Sequence, residues 1–190
     1  MAHSIRHPHL LNREHTLLVV VDMQEPFLRD IWQRNRVIGN VNLLIRSASI
    51  METPIIPTVQ YAQRMGGIVP AVAACLPEGE PLDKMCFSCA GSAEFLNRVR
   101  ASGKSQIILC GIETHICVCQ TALDLVQAGF RVHVVADAVS SRSELTWQLG
   151  LRKMEQAEIV IDSTEGAIYE LLFESGTPEF KEALKLLKDQ

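Results

Sequence analysis

The chain has 190 residues, enough for one domain with a sizeable core. Hydrophobic residues make up 47% and charged residues 21%, the balance of an ordinary globular protein. A net charge of −4 argues against nucleic acid as a partner, because phosphate binding needs a basic face.

Residues 1–15 read as a loose N-terminal arm, and 16–190 as a single domain. His7-Pro8-His9 reads as part of a solvated tail rather than a metal site. The polar opening to Glu14 does not look like a secretion signal. No apolar run approaches the ~20 residues that span a membrane. Six cysteines without a signal peptide point to free thiols in a reducing cytoplasm.

Thr16 to Val21 is a continuous apolar, β-branched run, the pattern of a strand covered on both faces. It ends at Asp22. A carboxylate there sits where open α/β sheets hold ligands, although a turn-capping role would also explain it. Val37 to Met51 has helical spacing, and Pro54 to Gln60 reads as a second strand. Residues 61–83 carry Gly66-Gly67, Pro70, Pro77, Gly79 and Pro81, so an irregular excursion is expected, often part of a binding site. Lys84 follows; alone it would read as a solvated surface residue. Cys86 and Cys89 have C-x-x-C spacing, but Cys117 and Cys119 supply no matching second pair for zinc. A helix runs from about Ser92 to Arg100.

Ile107 to Cys110 reads as a buried strand, and Gly111 permits a sharp exit from it. Ile116 to Ala128 reads as a helix. With Thr114 as N-cap, Cys117 falls at the third helical position, beside orphan N–H groups and the positive end of the helix dipole. That address favours thiolate over thiol and supplies an oxyanion donor. A small core cysteine under a helix is the other reading, and this stretch leaves both open. Val132 to Val135 is a fifth strand ending at Asp137, with His133 read as a core or edge histidine. A helix over 143–156, a strand over Glu158 to Ile161, and helices over 164–174 and 178–188 complete the chain. The alternation predicts an α/β, doubly wound parallel sheet. No strand is followed by G-x-G-x-x-G, so a dinucleotide is not indicated.

Three segments then act together. Leu17 through Gln24, Lys84-Met85-Cys86-Phe87-Ser88 and Gly111 through Val118 resemble, in order and spacing, the signature segments of the isochorismatase-like cysteine hydrolases. The likeness covers roughly residues 16–175. It implies a Rossmann-like three-layer fold with a six-stranded parallel sheet. It further implies Cys117 as nucleophile, Asp22 as general base and Lys84 as the charge that holds both. The family's cis peptide would here join Ile112 to Glu113, aiming the N–H groups of Glu113 and Cys117 into an oxyanion hole. Gln24, Phe27, Gln60, Tyr61 and His115 are the expected pocket neighbours. Nicotinamidases of the family carry an Asp-x-His metal motif where this chain reads Val59-Gln60-Tyr61-Ala62-Gln63. No catalytic-site metal and no cofactor are therefore expected. Isochorismatases proper lack the nucleophilic cysteine. The reading is a metal-independent hydrolase of a small amide or related acyl compound, in a homo-oligomer, with neither nucleic acid nor membrane as partner. The alternative is a catalytically silent scaffold that binds a metabolite or partner.

Overall fold

The computed structural model describes residues 6–188. The chain begins its sheet with β1 (Thr16–Val21), then runs through a one-turn helix α1 (Glu25–Leu28) and the long α2 (Arg34–Ile50) to β2 (Ile55–Gln60). The excursion that follows contains two further one-turn helices, α3 (Ala62–Met65) and α4 (Pro70–Ala73), and ends in the short β3 (Leu82–Lys84). Next come α5 (Ala93–Ala101), β4 (Gln106–Ile112), a π-turn over Thr114–Val118 and α6 (Cys119–Gln127). The chain finishes with β5 (Arg131–Ser140), α7 (Glu144–Glu155), β6 (Val160–Asp162), α8 (Thr164–Leu172) and α9 (Pro178–Lys188).

The described residues form one six-stranded sheet in the order β3-β2-β1-β4-β5-β6, with every strand pair parallel. Period-two alternation sorts the strand residues between two cores. Leu18, Val20, Ile108, Cys110 and Val135 face α2, α8 and α9. Leu17, Val19, Val21, Ile107, Leu109, Val132 and Val134 face the other way, against Phe95 and Val99 of α5, Leu125 of α6 and Met154 of α7. Both cores are closed, so β1 and β4 are buried at every position and are apolar beyond their first residues, Thr16 and Gln106, which are hydrogen-bonded. The expected doubly wound α/β architecture is the one observed.

The chain winds outward from β1 to β3 and then returns beside β1 to start β4. The strand order therefore reverses between β1 and β4, and the crevice at their carboxyl ends is where such sheets place a ligand. Val21 and Gly111 are register partners at that point. Gly111 has φ +106°, and a Cβ on it would collide with the Val21 carbonyl. Only glycine lets β4 turn here without pushing β1 away.

Two readings differ from expectation. The fifth strand does not end at Asp137 but continues to Ser140. Its pairing with β4 jumps from Leu109–Val134 to Gly111–Val139, so extra residues bulge out at Asp137. The Asp137 carboxylate accepts from the Thr164 N–H and hydroxyl, both at 2.8 Å, and so ties the bulge to the start of α8. Residues 6–15 are also less loose than a tail. Leu11 is fully buried, its N–H donates to Glu170 Oε2, and the Gln106 side chain holds Asn12 and Leu10. His7 and His9 remain exposed, and residues 1–5 lie outside those described.

Gly111→Ala should destabilise the fold by roughly 3 kcal/mol or more, since it combines positive-φ strain with a backbone collision. Urea unfolding checks this; Gly129→Ala, at φ +92° in open space, should cost less.

Candidate functional site

Asp22 follows β1 directly, with φ +50°, and is 2% exposed. Lys84 closes β3 and is 4% exposed. Sheet topology brings the two together: Lys84 Nζ donates to Asp22 Oδ2 at 2.7 Å. Each charge has further partners. Thr58 Oγ1 donates to Asp22 Oδ1 at 2.8 Å. Lys84 Nζ also donates to Gln60 Oε1 at 2.7 Å and to the Cys86 and Phe87 carbonyls at 3.3 Å. Burial is the largest single influence on Lys84 and lowers its pKa, but the Asp22 carboxylate, Cys89 and Cys117 act in the opposite direction and together shift it upward. The ammonium is therefore firmly charged at neutral pH.

Cys117 lies in the π-turn after β4. The Ile112–Glu113 peptide is cis, as the family resemblance implied. The turn does not start where the sequence suggested. Glu113, extended at φ −89° and ψ 141°, is the cap residue, and its carbonyl accepts from the N–H groups of Ile116 and Val118. The Thr114 hydroxyl caps nothing; it is buried with no hydrogen-bond partner among the described residues. Cys117 thus falls at the fourth position of a wide turn, not the third of a regular helix. Gly150 of α7 lets this turn pack closely, since a Cβ there would press on the His115 backbone at 3.0 Å.

The expected thiolate is not what this environment favours. Burial pushes the Cys117 thiol up to about 12, and the adjacent Asp22 carboxylate pushes the same way. Lys84 opposes both without overcoming them. A dry pocket with a carboxylate beside the sulfur outweighs the turn's dipole. The resting group is a thiol facing a carboxylate, which is an arrangement for proton transfer to a base during attack.

Asp22, Phe27, Gln60, Phe87, Ile112, Glu113, Ile116 and Cys117 line a cavity of about 70 Å³. Of the expected pocket residues, Phe27 and Gln60 line it. Gln24, Tyr61 and His115 do not. Gln24 is fully buried framework: its Nε2 donates to the Gln60 and Gly66 carbonyls, and its Oε1 accepts from the Gln60 N–H. Tyr61 starts α3, and its N–H donates to the Lys84 carbonyl. His115 pairs with the Ser141 hydroxyl at 2.9 Å. Phe87, Ile112 and Ile116 line the cavity and were not singled out. Phe87 stands within the Lys84 segment, and Ile112 and Ile116 flank Glu113 and Cys117, so adjacency in sequence was the available signal. Glu113 reaches the rim, where Arg142 Nε donates to its Oε2 at 3.0 Å. Cys89 is a second buried thiol nearby. Its N–H donates to Thr121 Oγ1, and burial pushes the thiol up to about 11.

Two outcomes are expected. Lys84→Met strands a buried carboxylate and should cost about 3–5 kcal/mol in chemical denaturation, with the Asp22→Asn/Lys84→Met pair recovering most of it. Iodoacetamide should label Cys117 more slowly at pH 7 than the more exposed Cys75 and Cys86. Because the thiolate fraction grows about tenfold per pH unit below the pKa, labelling should climb from pH 7 to 10 without levelling. A plateau below pH 9 would contradict the raised pKa.

The comparisons with known proteins agree on the family. The isochorismatase domain profile matches residues 16–165. The secreted isochorismatase effector Isc1 of Phytophthora sojae is 37% identical over 178 residues, covering 92% of this chain and 85% of that protein. The human isochorismatase domain-containing protein 2 is 35% identical over 175 residues, covering 92% of this chain and 83% of that protein. Among solved structures, one described as the MAR1 ribonuclease of Caenorhabditis elegans superposes with a TM-score of 0.88 at 37% identity, covering 94% of this chain and 92% of that one. With the profile spanning most of the chain and its signature segments meeting at the switch point of the sheet, this protein belongs to the isochorismatase domain family.

Proposed function

We propose that the protein is a metal-independent cysteine hydrolase that cleaves a small amide or related acyl compound through a thioester. The observation that carries this reading is the buried Asp22–Lys84 pair, with Asp22 sharing one small cavity with Cys117. A buried ion pair is a poor device for stability, because desolvation offsets much of its attraction. Its presence at the ligand crevice is better explained by chemistry.

The proposed steps are as follows. Cys117 Sγ attacks the carbonyl carbon while its proton passes to Asp22. The tetrahedral oxyanion is held by the backbone N–H groups of Glu113 and Cys117. Collapse breaks the C–N bond, and Asp22 returns the proton to the leaving nitrogen. Water, deprotonated by Asp22, then attacks the thioester, and the departing Cys117 sulfur is protonated again. Lys84 stays charged throughout and keeps the carboxylate in position. Gln60 stands where the metal motif would be; its oxygen serves Lys84, and its Nε2 donates to the Met85 carbonyl. The site's chemistry is complete without a metal or cofactor.

The cavity also supports a small substrate. A volume of about 70 Å³ walled by Phe27, Phe87, Ile112 and Ile116 admits an acyl group of a few heavy atoms. The relative named a ribonuclease raises RNA as a second substrate class. The chain's negative charge and an apolar cavity argue against a phosphodiester, and RNA belongs in the same assay as a competitor. Homo-oligomerisation is part of the proposal: Met85, Phe87, Leu145 and Leu149 are exposed apolar side chains suited to burial between copies. Six free cysteines fit a cytoplasmic setting. Among the described residues, no helix is long and apolar enough to cross a membrane.

The test is intact-mass analysis of enzyme quenched during turnover of a small-amide panel. An acyl adduct on Cys117 is expected, and Cys117→Ala should lose turnover by several orders of magnitude, roughly the cost of deleting a nucleophile. Substrate should still bind to the variant, since the oxyanion donors are backbone groups. Full activity in Cys117→Ala would end the covalent mechanism. An inert panel with an unmodified Cys117 would favour the silent scaffold.

A further inference from the structure

We propose a second, separate site on the opposite edge of the sheet: a three-ligand site for a divalent first-row transition ion formed by His133, Asp162 and Glu170. The three come from β5, the end of β6 and α8, all on the face that packs against α2 and α8. One ligand atom from each lies within 4.8 Å of the other two. Lys84 sits on the other edge strand, so this cluster is no part of the cysteine site.

The site rests on polar atoms that the fold leaves unpaired. His133 is fully buried, and neither ring nitrogen has a hydrogen-bond partner among the described residues. Asp162 Oδ2 is buried and unpaired as well. Buried polar groups are nearly always satisfied, so orphans placed side by side need a cause. Direct pairing is a weak candidate. His133 Nδ1 and Asp162 Oδ2 are 3.6 Å apart, beyond an ordinary hydrogen bond. Two ligands on one ion, each about 2.0–2.2 Å from it, stand roughly 3.0–3.6 Å apart. The observed gap matches a shared ion better than a shared proton.

The neighbouring contacts fix the carboxylates without filling the site. Asp162 Oδ1 accepts from the Ser163 N–H at 2.7 Å, leaving Oδ2 toward His133. Glu170 Oε2 accepts from the Leu11 N–H at 2.7 Å, leaving the other oxygen available. One imidazole with two carboxylates suits zinc or manganese; calcium and magnesium prefer all-oxygen sets. Three protein ligands leave a position for water. Such an ion would join the three-residue edge strand β6 to β5, α8 and, through Leu11, the N-terminal arm. Its role is structural, so the cysteine chemistry proceeds with or without it.

Cobalt(II) is the probe, because its ligand-field spectrum reports the donor set. The full chain is used with His7→Ala and His9→Ala, since these exposed, adjacent rings could bind metal themselves. The expected result is one equivalent of cobalt bound without a thiolate charge-transfer band, and a rise in Tm on binding. Asp162→Asn and Glu170→Gln each keep the hydrogen-bond acceptor oxygen and should weaken binding at least tenfold. Circular dichroism confirms that each variant is folded; if Asp162→Asn is not, Glu170→Gln decides. No binding in the His7/His9 background, a thiolate band, or unchanged affinity in the folded variants would overturn the site.

Discussion

The buried pairing of Asp22 with Lys84 is the constraint to which the rest of the structure answers. Two charges this dry each carry a desolvation penalty of several kcal/mol. Their mutual attraction offsets it only when the remaining lone pairs and protons are satisfied. Here they are: Thr58 takes the second Asp22 oxygen, while Gln60 and two backbone carbonyls take the remaining ammonium contacts. The partners come from β2 and from the segment after β3, so the pair forms only if β1, β2 and β3 lie in register. Gln24 extends the constraint by clamping the Gln60 backbone with its own amide. The polar network is thus a consequence of sheet topology and a check on it.

Gly111 does for the other half of the site what the ion pair does for the first. The carboxyl ends of β1 and β4 must touch for Asp22 after one to share a cavity with Cys117 after the other. Contact at Val21–Gly111 leaves no room for a side chain. Beyond it the chain enters a wide turn, and Cys117 is carried back over the end of β1 to face Asp22. The surroundings that make the thiol reluctant to ionise also keep water away from it. A thiol held neutral is protected from stray oxidation and alkylation. In the proposed mechanism, proton transfer to Asp22 accordingly accompanies attack instead of preceding it.

The parts of this arrangement that were legible in sequence are those written in local pattern. The unbroken apolar run before Asp22 and the run before Gly111 identified both central strands, and their ends identified Asp22 and Cys117. Lys84 was different: its segment has no hydrophobic signature, and only likeness to a family drew attention to it. Sequence logic failed where tertiary contact overrode local rules. Thr114 has the chemistry of an N-cap, but close packing of Gly150 against His115 fits a wide turn that starts one residue earlier. The apolar run of the fifth strand ends at Asp137 in the sequence, but in the fold this carboxylate anchors a bulge against α8 and the strand continues to Ser140. Gln24, Tyr61 and His115 are expected pocket neighbours that do not line the cavity, because sequence alone does not tell which way a side chain points. The apolar lining of Phe87, Ile112 and Ile116 escaped notice because apolar residues beside a motif are indistinguishable from core.

Glu113 shows how a charge can stand at the mouth of such a cavity without dictating what enters it. Taken alone, its carboxylate beside the oxyanion donors would repel anionic substrates and oppose the charge that develops in the transition state. Arg142 offsets part of that effect by donating to the same carboxylate at 3.0 Å. The arginine side chain is largely exposed, at 62%, while the glutamate is at 13%. Solvent therefore screens the pair from outside, and its value to stability is small. Its value to the site is directional. The Glu113 side chain is drawn toward Arg142 at the rim. In the proposed mechanism the residue therefore holds its negative side chain against Arg142 and offers only its backbone N–H as an oxyanion donor.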